Sequence, residues 1–128
     1  MNVLWLNSRT EMHAIDLDEV AFMQADGHYT DISFANGNKR SELIGITMLE
    51  SAIKELYGGD DSPFCRIGRS FLININHVVS IHLQKHVISF ISPKVQTLTL
   101  SRQSVCQLKS LILSRKKAVG LSSLESSS

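Results

Sequence analysis

The chain has 128 residues, of which 43% are hydrophobic and 20% charged, and its formal net charge is +1. This length favours one globular domain with its own core, and the composition argues against a chain that is disordered throughout. No apolar run approaches the roughly 20 residues that span a bilayer, and the start lacks the basic region of a signal peptide. The sequence therefore predicts a cytoplasmic protein without membrane insertion.

Most of the chain is predicted to form short strands joined by turns. Asp26-Gly27 and Asn36-Gly37 are strong turn dipeptides, Lys85-His86 is expected to turn between two later strands, and Pro93 indicates a loop or an edge. The polar loop 8–11 is expected to close the first hairpin. The predicted strands cover residues 3–7, 12–17, 20–25, 29–34, 39–44, 64–74, 78–83, 87–91 and 96–100.

Two helices complete the predicted elements. The first is predicted over residues 47–56, because Thr47 and Glu50 fit a capping box in front of a helical apolar stripe. The second is predicted over residues 102–117, with Ser101 as its cap. Together the elements predict a mainly β domain over residues 1–118, followed by a small polar tail, residues 119–128, that is expected to be disordered.

The small net charge hides a strong difference between the two halves of the chain. Residues 1–61 carry four basic and eleven acidic side chains, whereas residues 62–128 carry nine basic side chains and one acid, Glu125. This distribution predicts an electropositive surface that faces a polyanion, such as nucleic acid or an anionic membrane. The alternative is that the second-half cations pair with first-half acids across the fold.

The sequence shows no pattern that is typical of catalysis or metal binding. Cys65 and Cys106 form no metal-ligand spacing, and the five histidines match no zinc motif. His82 and His86 are four residues apart, but their surroundings predict strand and turn rather than a shared helix face. We therefore expect no enzyme, no cofactor and no metal site.

The strongest chemical motif is a pair of arginines in the apolar stretch 64–74. Strand alternation would place Arg66 and Arg69 on opposite faces, unless a local turn at Gly68 changes the alternation. An arginine fork matches a phosphate, or the O6/N7 edge of guanine, and Ser70 can donate to a phosphate oxygen. The alternative is that both arginines form structural salt bridges with the acidic first half.

A second motif is Ser101-Arg102-Gln103, at the predicted junction between a strand and the last helix. A helix start offers free amides to a phosphate, while Arg102 and Gln103 are side chains that read guanine and adenine. The alternative is a plain helix cap with exposed polar residues.

A third motif is the turn Asp26-Gly27-His28-Tyr29. Either the imidazole or the phenol could bond to a phosphate or a base edge. The alternative is a hairpin tip without a role in binding.

Four stretches, taken in this order, resemble the LytTR DNA-binding domain of bacterial transcription regulators. They are residues 20–29, the helix 47–56, the stretch Phe-x-Arg-Ile-x-Arg-Ser-Phe-Leu-Ile-Asn-x-x-His-Val at 64–78, and residues 98–111. The match runs from residue 14 to residue 117. The resemblance implies an elongated, mainly β fold with one internal and one C-terminal helix, whose loops enter successive major grooves of DNA.

The resemblance also implies which residues contact DNA. The first loop corresponds to His28 or Tyr29, the position after Gly68 to Arg69 with Ser70 beside it, and the start of the last helix to Arg102 followed by Gln103. Lys94, one of the second-half cations, is expected to join them.

Two departures qualify what the resemblance implies. Many relatives carry histidine where this chain has Gly68, which is expected to remove one contact or loosen the loop. Relatives usually follow a receiver domain, and 128 residues leave no room for one, so the chain is either a stand-alone regulator or a fragment. We therefore expect a transcriptional regulator without a receiver, which binds double-stranded DNA at direct repeats, with a second copy on the same DNA and a possible regulatory protein partner. The alternative is a protein–protein interaction module that has kept the fold and regulates a partner without binding DNA.

Overall fold

The structure, a computed structural model, describes residues 2–121 of the chain. Within them lie ten strands and two helices, and the fold class is mainly β, as predicted. Two single 3₁₀ turns, Leu17–Glu19 and Ile75–His77, precede the strands that begin at Val20 and Val78. The elements in chain order are β1 (Val3–Asn7), β2 (Met12–Asp16), β3 (Val20–Asp26), β4 (Tyr29–Phe34), β5 (Lys39–Glu42), α1 (Ile46–Leu56), β6 (Phe64–Ile67), β7 (Phe71–Asn74), β8 (Val78–His82), β9 (Val87–Phe90), β10 (Leu98–Thr99) and α2 (Arg102–Arg115).

The strands form three antiparallel sheets. β1 and β2 make a hairpin, the central sheet has the order β5-β4-β3-β7-β6, and the third sheet has the order β10-β9-β8. Strand β3 lies at the middle of the central sheet and pairs with β4 on one side and β7 on the other. One strand therefore connects the first half of the chain to the basic second half.

Two hydrophobic cores lie on opposite faces of the central sheet. Because side chains alternate along a strand, Phe22 enters one core and its neighbour Met23 enters the other. The Met23 core is closed by α1 and packs against the β1–β2 hairpin, while the Phe22 core is closed by α2 and the β10-β9-β8 sheet. Burial on both faces explains why residues 20–23 are all apolar and all buried.

The capping box predicted for the first helix is wrong. The helix begins at Ile46 rather than Thr47, and its N-cap is Gly45, which makes no side-chain hydrogen bond. Ile46 is only 6% exposed and belongs to the buried face, so the apolar stripe starts one position earlier than predicted. The side chains of Thr47 and Glu50 point to a residue outside the helix, Arg66.

The predicted strand over residues 64–74 is two strands joined by a three-residue turn. Ile67 pairs with Phe71, which leaves Gly68 to Ser70 as the turn. Gly68 has φ +60, in the left-handed region that glycine occupies without a Cβ clash. The turn that was raised as a possibility at Gly68 therefore exists, and strand alternation does not govern Arg69.

Other boundaries differ from the prediction by a few residues. The β4–β5 hairpin is confirmed, but residues 35–38 separate its strands, so Asn36-Gly37 is not a two-residue turn. The last helix is capped by Ser101 as predicted and ends at Arg115. Of the tail predicted to be disordered, residues 122–128 lie outside the described part of the chain.

Candidate nucleic-acid interface

The β6–β7 turn, residues 68–70, is tied through its backbone to three different elements. The Gly68 N–H donates to Gln107 Oε1 on α2 at 3.3 Å. The Arg69 carbonyl accepts from the Arg66 side chain, at 2.6 Å from Nη2 and 3.2 Å from Nε. The Ser70 carbonyl accepts from the N–H of Ala25, in β3, at 2.8 Å. Because every residue of the turn has a fixed backbone group, the exposed Arg69 side chain starts from a fixed position.

Arg66 is held inside the fold and is not free to bind an anion. Besides its bonds to the Arg69 carbonyl, Nη1 donates to Glu50 Oε1 at 2.9 Å and to Thr47 Oγ1 at 3.3 Å. The Arg66 and Glu50 side chains are only 23% and 20% exposed. For Arg66 the alternative, a structural salt bridge with an acid of the first half, is therefore confirmed. The Arg66 guanidinium joins α1 to the β6–β7 turn.

Replacing Arg66 by methionine should lower the free energy of unfolding by about 1–3 kcal/mol, because hydrogen bonds to charged groups are lost and Glu50 keeps no guanidinium partner. Denaturant unfolding measures this loss. Arg66→Lys should fall between wild type and methionine, since an ammonium reaches Glu50 but lacks the fork that spans to Arg69. An unfolding curve unchanged by Arg66→Met would refute this role.

Gly68 lies close to the first turn of α2. A Cβ at Gly68 would approach Ser104 Oγ to 3.2 Å, and the Gln107 amide also donates to the Arg66 carbonyl at 3.1 Å. Gln107 therefore bonds to both ends of the Arg66–Gly68 segment. Sequence reasoning missed Gln107, since nothing near it in the chain indicates a partner 39 residues away.

We expect Gly68→Ala to destabilise the protein by about 1–2 kcal/mol from the left-handed backbone alone, and by more because the new methyl group crowds Ser104. Gly27→Ala is the matched control, since Gly27 has φ +61 with nothing within 4 Å of the added Cβ. Thermal unfolding of both variants separates the two contributions. If Gly68→Ala lost no more stability than Gly27→Ala, the contact with Ser104 would have no energetic consequence.

The start of α2 presents polar and basic side chains to solvent. Ser101 Oγ accepts from the Ser104 N–H at 3.1 Å, and no acidic residue occupies the first turn. Arg102 and Gln103 are exposed. A capped helix start with an arginine and without a carboxylate is electrostatically suited to an anion.

The β3–β4 turn separates its two candidate residues. Asp26 pairs with Tyr29 across the hairpin, and His28 lies in the turn itself. His28 lines a cleft between the β1–β2 hairpin and the start of α1. Tyr29 is 48% exposed. It lies three residues before Ile32, which belongs to the core on the α1 side. Because side chains alternate between the two faces along a strand, Tyr29 lies on the α2 face of the sheet.

These three segments are neighbours along one edge of the domain, which we call the contact edge, residues 26–29, 68–70 and 101–103. The bond between Ala25 and Ser70 joins the first two, and the approach of Gly68 to Ser104 joins the second to the third.

Among residues 2–121, Arg69 and Arg102 form no ion pair with an acid. Of the second-half cations, Arg66 alone pairs with a first-half acid in that part of the chain.

Lys94 lies away from the contact edge. It lies against the β4–β5 turn, where a Cβ at Gly37 would approach the Lys94 Cβ to 3.2 Å. That turn is at the opposite end of β4 from Tyr29. The structure therefore groups five of the predicted residues, Tyr29, Arg69, Ser70, Arg102 and Gln103, on one edge, turns His28 toward α1, and leaves Lys94 apart.

Residues 2–121 contain no cluster of three potential metal ligands and no helix able to cross a membrane. Burial raises the pKa of the Cys65 thiol, although Arg115 partly opposes the shift. Burial, with smaller contributions from Asp18 and Asp16, also raises the pKa of Tyr57. Neither group is activated as a nucleophile at neutral pH.

Comparisons with known proteins identify the family and the fold. The family model of the LytTr DNA-binding domain matches residues 10–113. Among solved structures, the chain is similar to the LytTr DNA-binding domain of a Bacillus cereus protein, with a TM-score of 0.61 and 16% sequence identity, over 88% of this chain and 97% of that one. No curated protein matches significantly. The solved structure supports the fold, and the family model covers most of the chain.

Proposed function

This chain belongs to the LytTR family of DNA-binding domains, and we propose that it is a sequence-specific transcriptional regulator that reads double-stranded DNA with its contact edge. The observation that carries the proposal is the alignment of three candidate segments on one edge, with Arg69 and Arg102 exposed and unpaired within residues 2–121. The turns and the start of α2 enter successive major grooves, and no enzymatic step is involved.

The proposed roles follow from side-chain chemistry. Arg69 and Arg102 each present a rigid fork to the O6/N7 edge of a guanine, and Gln103 reads an adenine. Ser70 donates to a phosphate and fixes the register. From the first loop we favour Tyr29 over His28, because Tyr29 lies on the α2 face of the central sheet. Basic side chains close to the contact edge neutralise phosphates and supply most of the affinity. Arg66, which is bonded within the fold, and Lys94, which lies away from the edge, are not among them.

A single domain with one contact edge recognises a short DNA sequence. We therefore propose that two copies occupy direct repeats on the same face of DNA, spaced by about one helical turn of 10–10.5 base pairs. Action on DNA implies a cytoplasmic location.

Selection of bound duplexes from a random DNA library, at two salt concentrations, tests the proposal. We expect enrichment of a short repeated motif, with affinity that falls steeply as salt rises, because bound phosphates release counterions. Loss of all enrichment, with only weak salt-sensitive binding, would refute sequence-specific recognition by this chain alone.

One observation favours the second candidate function, a protein–protein interaction module. Trp5 and Met12, on the outer face of the β1–β2 hairpin, are 59% and 58% exposed. Apolar side chains grouped on a surface are typical of contacts with another protein. Partner binding through this face would depend little on salt, which distinguishes it from DNA binding.

A further inference from the structure

The β8–β9 turn, residues 83–86, lies directly beside the contact edge although it is distant from that edge's turns in the chain. Thr99 of β10 pairs with Val87 of β9, and the Leu100 N–H donates to the His86 carbonyl at 2.9 Å. Leu100 immediately precedes Ser101, the cap of α2. The turn therefore lies next to the segment that leads into α2.

This turn carries an exposed cation in a defined backbone conformation. Lys85 is exposed and forms no ion pair with an acid in residues 2–121. Its backbone N–H donates to His82 Nδ1 at 3.2 Å, which closes the turn, and His86 holds φ 59. Residues 62–124 contain no Asp or Glu, so no carboxylate side chain of that range competes for this ammonium.

We propose that the β8–β9 turn is a fourth DNA-contacting segment, in which Lys85 binds a backbone phosphate beyond the base pairs reached by Arg102. The inference rests on the proposed function, since the same duplex must lie along the contact edge. A lysine is a compact point charge on a flexible stem, which suits a phosphate better than bidentate reading of a base. The contact adds affinity and footprint length without sequence preference.

The experiment measures the dissociation constant of Lys85→Gln for the selected duplex and for a scrambled duplex, over a range of salt concentrations. Loss of one phosphate contact should make the negative slope of log association constant against log salt concentration shallower by about 0.9, equivalent to roughly eightfold weaker binding at 0.1 M salt. The affinity for the selected duplex and the affinity for the scrambled duplex should fall by the same factor. Lys85→Arg keeps the charge and should bind like wild type, and Lys54→Gln, on α1, should show no change in slope.

Duplex length supplies a second readout that a general structural effect would not move. On a duplex that carries a single binding element, shortening from the end next to Arg102 should weaken wild type to the level of Lys85→Gln and leave Lys85→Gln itself unaffected. Shortening the other end should affect both proteins equally. A Lys85→Gln protein with wild-type affinity and slope would overturn the fourth segment while leaving the proposed function intact. Absence of selective binding by wild type would instead overturn the proposed function.

Discussion

Replacing Arg69 by alanine should weaken binding to the selected DNA by about 1–3 kcal/mol, which is roughly 5-fold to 150-fold, and should relax the preference at one base position. The expected loss is large because the backbone of the turn is already fixed by Gln107, Arg66 and Ala25. A pre-positioned fork loses little conformational entropy when it binds, so most of its hydrogen-bond energy appears as affinity. Repeating the sequence selection with Arg69→Ala measures both changes.

Arg69→Lys is the matched control for this prediction. It keeps the positive charge but lacks the planar fork, so binding to scrambled DNA should be retained while discrimination falls almost as far as with alanine. Equal losses on selected and scrambled duplexes for Arg69→Ala would contradict a base contact and would reduce Arg69 to a phosphate ligand. The unfolding free energy should stay near the wild-type value, because the Arg69 side chain is exposed.

Leu108→Ala should destabilise the protein by about 2–5 kcal/mol, as large-to-small substitutions in packed cores do. Leu108 is 0% exposed and lies in the core that α2 closes against the central sheet and the β10-β9-β8 sheet. The cavity would loosen the helix that carries Arg102. Denaturant unfolding should show a lower midpoint, and DNA binding should weaken at temperatures where part of the protein is unfolded.

Leu113→Ala provides the comparison on the same helix. Leu113 is 53% exposed, so its truncation should change stability by less than about 0.5 kcal/mol. If the two leucine variants were equally stable, α2 would not be docked as the structure describes, and the position of Arg102 next to the β6–β7 turn would be wrong.

Local chemistry made much of this fold predictable. Turn dipeptides and alternating apolar residues indicate most of the strands, and Ser101 is a cap in the sequence as in the structure. The capping box failed for a reason that no local pattern contains. Thr47 and Glu50 have the right types and spacing for a cap, but both bind Arg66, which lies 19 and 16 residues away. A motif therefore predicts a local bond only when no tertiary partner competes.

The features of the candidate site also fall into those that the sequence predicts and those that depend on tertiary structure. Residue chemistry and the family resemblance pointed to Arg69, Arg102 and the first loop before any geometry was known. Sequence reasoning could not find that Lys94 lies apart, or that His28 and Tyr29 point to different faces, since both depend on strand pairing and register. The sequence predicted a turn at Lys85-His86 but not its position beside Leu100. That position follows from the pairing of β9 with β10.

The ties of the β6–β7 turn bear on how the protein folds. Its partners are reached across 39 residues to Gln107 and 45 to Ala25, and Arg66 reaches back 16 residues to Glu50. Contacts with such separations in sequence close late, because chain entropy must be lost before they form. The core that α2 closes joins Phe22 to Leu108, 86 residues apart, so we expect the Arg69 turn to become ordered only together with that core. A newly synthesised chain would therefore acquire its proposed recognition surface only after α2 has emerged and docked.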